Sequence, residues 1–122
     1  MKVLVCGGRD YKDWNFFKEV MLATHRRRQI TSIIHGNALG ADTMAQIWAE
    51  REKIEVTKFQ AEWRKYGKRA GPLRNARMLS DGKPDLVIAF PGGRGTSDMI
   101  KQAKAAGVEV IEYALTAGDK HE

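Results

Sequence analysis

Cysteine is almost missing from this chain. One thiol, Cys6, among 122 residues rules out an internal disulfide and suits a reducing compartment, so a cytoplasmic location is expected. Long hydrophobic runs are missing too. No apolar stretch approaches the ~20 residues that a membrane span requires, so no membrane partner is expected. The opening MKVLVCGGRD is apolar over a short run only, and it reads as a first strand rather than a signal peptide. Three scattered histidines and one cysteine give no zinc or iron spacing, and no metal is expected. GxxxxGK[ST] does not occur, which excludes a P-loop ATPase. GxGxxG does not occur either, so the ordinary NAD fingerprint is absent and no cofactor is expected. Internal repeats, linkers and low-complexity segments are also lacking.

What remains is a chain suited to one compact domain, with 43% hydrophobic residues and a formal net charge of +6. The charge favours anionic partners without separating nucleotides from nucleic acids. Apolar, β-branched runs at 2–6, 31–35, 54–59, 85–90 and 108–113 read as strands. Helical spacing of Trp14, Phe17, Val20, Met21 and His25 predicts a helix over 11–28. Met44, Ile47 and Trp48 mark a second helix over 41–53. Further helices are expected over 72–80, with Pro72 near its start, and over 96–106, followed by Gly107. The segment 63–71 is basic and aromatic with little periodicity, and reads as a loop. Arg26, Arg27 and Arg28 fall at the end of the first helix, where cations complement the dipole and face solvent.

Strand and helix alternate, and strands such as DLVIAF are apolar throughout, as in a parallel sheet covered on both faces. The expected fold is a doubly wound, Rossmann-like α/β domain over 1–115. Its five parallel strands take the order 3-2-1-4-5, helices cover both faces, and a polar tail follows at 116–122.

Three turns carry glycine clusters. Gly7-Gly8-Arg9 follows strand 1. HGNALGAD, with His35, Gly36, Gly40 and Asp42, follows strand 2. PGGRGTSD, with Gly92, Gly93, Arg94, Gly95, Thr96 and Asp98, follows strand 4. All three lie at the carboxyl ends of strands, where open α/β sheets bind ligands. Without Cβ atoms, backbone N–H groups can approach a phosphate, and a following helix N-terminus adds positive potential. Arg9, Arg74 and Arg94 are the preferred electrostatic residues, since arginine forks match phosphate oxygens. His35 could contact the ligand or sit buried and hydrogen-bonded. Asp10 and Asp42 could cap helices, and Asp42 could instead bind a ribose hydroxyl. Cys6 reads as a small buried residue before a nucleophile. Trp63 and Tyr66 could stack on a base or pack on the sheet. Trp14 and Trp48 fit helical core stripes.

CGGRDY, HGNALGAD, the stretch from Trp63 through YGKRAGPLRNARML, and PDLVIAFPGGRGTSDM together resemble the SLOG superfamily, in its YspA-like, YpsA-related branch. The resemblance covers nearly the whole chain in order. It implies a Rossmann-like fold, a site for nucleotides or nucleotide-derived ligands such as ADP-ribose derivatives, and self-association into a dimer or larger homo-oligomer. It also implies kinship with the Lonely Guy phosphoribohydrolases and with SLOG sensor domains. The Lonely Guy enzymes carry PGGxGTxxE, in which the glycines and threonine hold phosphate and the glutamate helps cleave an N-glycosidic bond. Pro91, Gly92, Gly93, Gly95 and Thr96 match it. Met99 stands where the glutamate would be, with Asp98 beside it, ~100° around a helix. Arg74 in RNARM resembles the arginine of the enzymes' RKxxM pattern.

Three functions compete on these grounds. The first is binding or sensing of a nucleotide-like ligand. The second is a nucleoside 5′-monophosphate phosphoribohydrolase, with Arg74 and Asp98 as its catalytic candidates. The third is nucleic-acid binding by the basic group from Arg64 to Arg77, which is not expected because no helix-turn-helix or RNA motif accompanies it.

Overall fold

The computed structural model describes residues 1–114; the expected tail lies outside them, as does the last position of the expected domain. Five strands, β1 (Lys2–Cys6), β2 (Ser32–His35), β3 (Glu55–Lys58), β4 (Leu86–Ala89) and β5 (Glu109–Glu112), form one sheet in the order β3-β2-β1-β4-β5. Every neighbouring pair is parallel. This is the Rossmann-like order that the alternating pattern predicts. The central strands are apolar along their length because both faces are covered: β4 is buried at every position. The edge strands β3 and β5 carry exposed charges instead, which suits strands with one unpaired side.

Helices α1 (Trp14–Arg27) and α2 (Ala41–Glu52) cover one face. Their Phe17, Met21, Ala45 and Trp48 pack with Val3, Val5, Ile33, Ile88 and Phe90. Helices α4 (Ala70–Ser80) and α5 (Arg94–Ala105) cover the other. There Met78, Met99 and Ala103 meet Leu4, Cys6, Ile34 and Val87. Among the described residues no helix is long and apolar enough to cross a membrane.

Several boundaries differ from the sequence reading. Helix α1 starts three residues later than expected because Asp13 caps it, its carboxylate accepting from the Phe16 N–H at 3.1 Å. Asp10 does not serve as that cap. Arg28, just past α1, is not simply solvated: it pairs with Glu109 of β5 at 2.9 Å, an exposed bridge worth little. The largest change is at 63–71. The segment expected as a loop forms a one-turn helix α3 (Trp63–Tyr66), then a 3₁₀ turn (Gly67–Arg69) that runs directly into α4. Gly67 joins the pieces at φ +55°, a conformation that side chains resist. Pro72 therefore falls in the first turn of α4, where its missing N–H costs nothing.

Candidate functional site

Strands β1 and β4 are neighbours at the middle of the sheet, where the strand order reverses, so the turns that follow them lie side by side at its carboxyl edge. A cleft of about 1540 Å³ opens there, lined by residues 7–13, 36–39 and 91–96 together with side chains of α3, α4 and α5. Its floor is backbone. The Gly8 N–H donates to Pro91 O at 2.8 Å, and Gly8 O accepts from Ala41 N–H at 3.3 Å and Tyr11 N–H at 3.2 Å. The three glycine turns are thus joined through Gly8. Two glycines are required by that junction. Gly40, at φ +77°, abuts the carbonyls of Gly8 and Arg9. A Cβ on Gly92 would collide with Thr96 and lie 2.6 Å from Gly8 N. Gly93 and Gly95 are different: a Cβ at either would meet no protein atom within 4 Å.

Helix α5 begins at this turn. Its N-cap Gly93 offers no side-chain bond. Ser97 N–H turns back to Gly93 O at 3.0 Å. The amides of Arg94, Gly95 and Thr96 ahead of it are the ones a helix cannot satisfy internally. They carry the positive end of the helix dipole at the cleft wall.

Arg74, from α4, crosses to the β2 turn. Its Nη1 donates to Gly36 O at 2.6 Å and its Nε to Asn75 Oδ1 at 3.1 Å. A Cβ at Gly36 would lie 2.6 Å from that Nη1, so glycine there makes room for the guanidinium. Burial lowers the Arg74 pKa, opposed by the Asp42 carboxylate. The buried Asp42 carboxylate accepts from Gly36 N–H at 3.1 Å and Ala38 N–H at 3.2 Å. Burial raises its pKa, against those amides and the neighbouring His35 and Arg74 side chains. Asp42 therefore braces the β2 turn from inside.

Asn75, fully buried, donates through Nδ2 to Gly95 O at 3.2 Å and to Asp98 Oδ2 at 3.0 Å. Gln102 Nε2 adds a second bond to the same oxygen at 2.7 Å. Asp98 is held on one oxygen from two sides, at the wall of the cleft. Cys6 also lines the cleft, but burial pushes its thiol up to about 12, so it is protonated at neutral pH. Among the described residues no cluster of His, Cys, Asp and Glu could hold a metal.

Residues 1–66 match the family described as the YspA, cpYpsA-related SLOG family, YAcAr. The chain is also 37% identical over 130 aligned positions to the Gene 61 protein of Mycobacterium phage D29, with 98% of each chain covered. The chain belongs to the SLOG family. The family match spans the first two glycine turns, and the alignment with the phage relative extends over the third.

Within this SLOG fold, most of the residues expected at the site do line the cleft: Gly7, Gly8, Arg9, Gly36, Asp42, Arg74, Gly92, Gly93, Arg94, Gly95, Thr96 and Asp98. Two do not. His35 is buried with both ring nitrogens engaged, Nδ1 accepting from Asn37 N–H at 3.0 Å and Nε2 bonded to Gln46 Oε1 at 2.7 Å. Gly40 lies behind the floor, against Gly8. Met99, which the sequence resemblance sets against the glutamate of the Lonely Guy enzymes, is only 1% exposed and packs in the core. Asp98 is the carboxylate that α5 turns toward the cleft. Asn75 and Gln102 escaped the sequence reading. The signal for Asn75 was its place mid-helix, where asparagine is unfavourable unless its side chain has a partner.

Proposed function

We propose that this cleft binds a nucleotide or a nucleotide-derived ligand, of the ADP-ribose kind, through its phosphate. The observation that carries the reading is the uncapped N-terminus of α5. Three backbone amides there have no side-chain cap, Gly93 and Gly95 keep side chains away from them, and Arg9, Arg74 and Arg94 line the same cleft. SLOG membership supports the same class of ligand. The test is a thermal-shift screen of AMP, GMP, CMP and ADP-ribose beside the matching nucleosides. Ligand at ~100 times its dissociation constant adds about 2.7 kcal/mol, so binding is readily seen. Stabilisation by phosphorylated ligands over nucleosides supports the reading, and no stabilisation by any of them overturns it.

A second reading, a phosphoribohydrolase, is favoured by the clamped Asp98 carboxylate. In that reaction water adds at C1′ of the ribose and the base departs with its bonding electrons and a proton. Positive charge grows on the sugar, where a fixed carboxylate stabilises it. Incubation with AMP, GMP and CMP, followed by chromatography for free base and ribose 5-phosphate, separates the readings. Multiple turnovers that vanish in Asp98→Asn while binding is kept would establish the enzyme.

A further inference from the structure

Two of the three tryptophans are used by the fold. Trp48 is buried, edge-on to His25 at 5.8 Å. Trp14 stacks on Phe17 at 5.8 Å and carries Lys18 and Arg51 over its ring. Trp63 is different. It is 59% exposed and lines the cleft. Among the described residues it enters no aromatic pair and no cation–π contact. One edge of its indole comes close to Gly71, where an added Cβ would lie 3.4 Å from Cη2. The neighbouring Tyr66 takes Lys65 over its ring at 5.1 Å and does not line the cleft. Of the two aromatics that open the basic segment, only Trp63 lines the cleft, and it does so largely exposed.

The cleft that Trp63 lines also holds polar side chains. Asn37 and Gln60 line the same cleft, joined by a long 3.5 Å bond from Asn37 Nδ2 to Gln60 Oε1, and Gln60 precedes Trp63 by one short stretch of chain. Both amides carry a donor and an acceptor. Lys68 lines the cleft too. A large aromatic surface left open in a concave wall, with exchangeable amides in the same cleft, is suited to a flat, heteroatom-rich ring.

We infer that Trp63 is the stacking wall for the nucleobase, with the amides of Asn37 and Gln60 reading its edge. This rests on the phosphate-binding reading above and extends it: the ligand spans the cleft, its phosphate at α5 and its base on α3. The recognised class is therefore a base-bearing nucleotide rather than a sugar phosphate.

The test uses calorimetry on the wild type, Trp63→Ala and Trp63→Phe. AMP, GMP, CMP and ADP-ribose are the base-bearing probes, and ribose 5-phosphate is the base-free one. Loss of one base stack lowers affinity roughly ten- to a hundredfold. The expected result is that loss for the best base-bearing probe in Trp63→Ala. Trp63→Phe should keep most of the affinity, and ribose 5-phosphate should bind all three proteins equally. The exposed position of Trp63 means that the variants keep the fold, which a thermal melt verifies. Base-bearing probes that bind no tighter than ribose 5-phosphate, or that ignore Trp63→Ala, overturn this inference and leave the phosphate site standing. An equal loss for ribose 5-phosphate also overturns it, since Trp63 would then act on the shape of the cleft. Failure of all five probes to bind the wild type overturns the nucleotide reading itself and this one with it.

Discussion

Arg74 is oriented before any ligand arrives. Two of its nitrogens are already bonded to Gly36 O and Asn75 Oδ1, so little side-chain freedom is lost on binding. Arg74→Ala should weaken phosphorylated ligands about ten- to a hundredfold while leaving the matching nucleosides nearly unchanged, as measured by calorimetry. Equal losses would move Arg74 away from the phosphate. Asp42 makes a contrasting case, in which the charge matters less than the acceptor. Asp42→Ala strands the amides of Gly36 and Ala38 and should cost about 1–3 kcal/mol in denaturant unfolding. Asp42→Asn keeps an acceptor and should cost clearly less. Cys6 supplies a pH signature. Its thiol holds a proton to about 12 in the folded protein and ionises from 9.0 in the unfolded chain. The unfolded state therefore sheds its proton first, so the stability present below pH 9 is lost as pH rises toward 12. The wild type should lose more stability between pH 8 and pH 10 than Cys6→Ala does, and parallel curves would show the thiol titrating normally.

Elements carry the clearest contrast between what could be read in the sequence and what could not. The strands and the four long helices were legible because each repeats apolar residues at its own period, and uninterrupted runs such as LVIA leave only a sheet covered on both sides. Helix α3 was not legible. One turn is too short for any period to show, and none of its residues is buried. The site was legible as three glycine turns on one edge. Its side-chain network was not, because Asn75 meets Asp98 only through the packing of α4 against α5. His35 looked available because a strand end beside a glycine resembles a ligand position, yet Gln46 on α2 takes its ring. The turn into α5 yields a test at this scale. Gly93→Val adds a branched side chain where no protein atom stands, so the melting temperature should barely move. The same branch occupies the space before the α5 amides, and phosphorylated ligands should lose most of their affinity. A folded variant with unchanged affinity would place the phosphate elsewhere.

At the scale of the molecule, the +6 charge is spread rather than gathered into one stripe. Arg28 is drawn to Glu109 on β5, and Arg77 lies over Phe59 at 5.6 Å. The cleft itself mixes signs, since Asp10, Asp13, Asp42 and Asp98 line it beside Arg9, Lys12, Lys68, Arg74 and Arg94. A cleft lined by both signs differs from the continuous positive track that single strands follow. Any DNA binding should be weak, with no preference over another polyanion such as heparin, when followed by salt titration. A steep salt slope with clear preference for DNA would revive the nucleic-acid reading.

The junction at Gly8 has a consequence for how this protein can change. Where ligand contacts are made by main-chain groups, a substitution cannot easily retune them, because almost every side chain added there collides or blocks. The walls above are made of Arg9, Asn37, Gln60, Trp63 and Arg94, all exposed and none buried in either core. For the stability of the fold, mutation is therefore nearly free on the rim and nearly forbidden on the floor. On the phosphate-binding reading proposed above, a lineage built this way keeps its grip on phosphate and remains at liberty to exchange the molecule attached to it, one rim residue at a time.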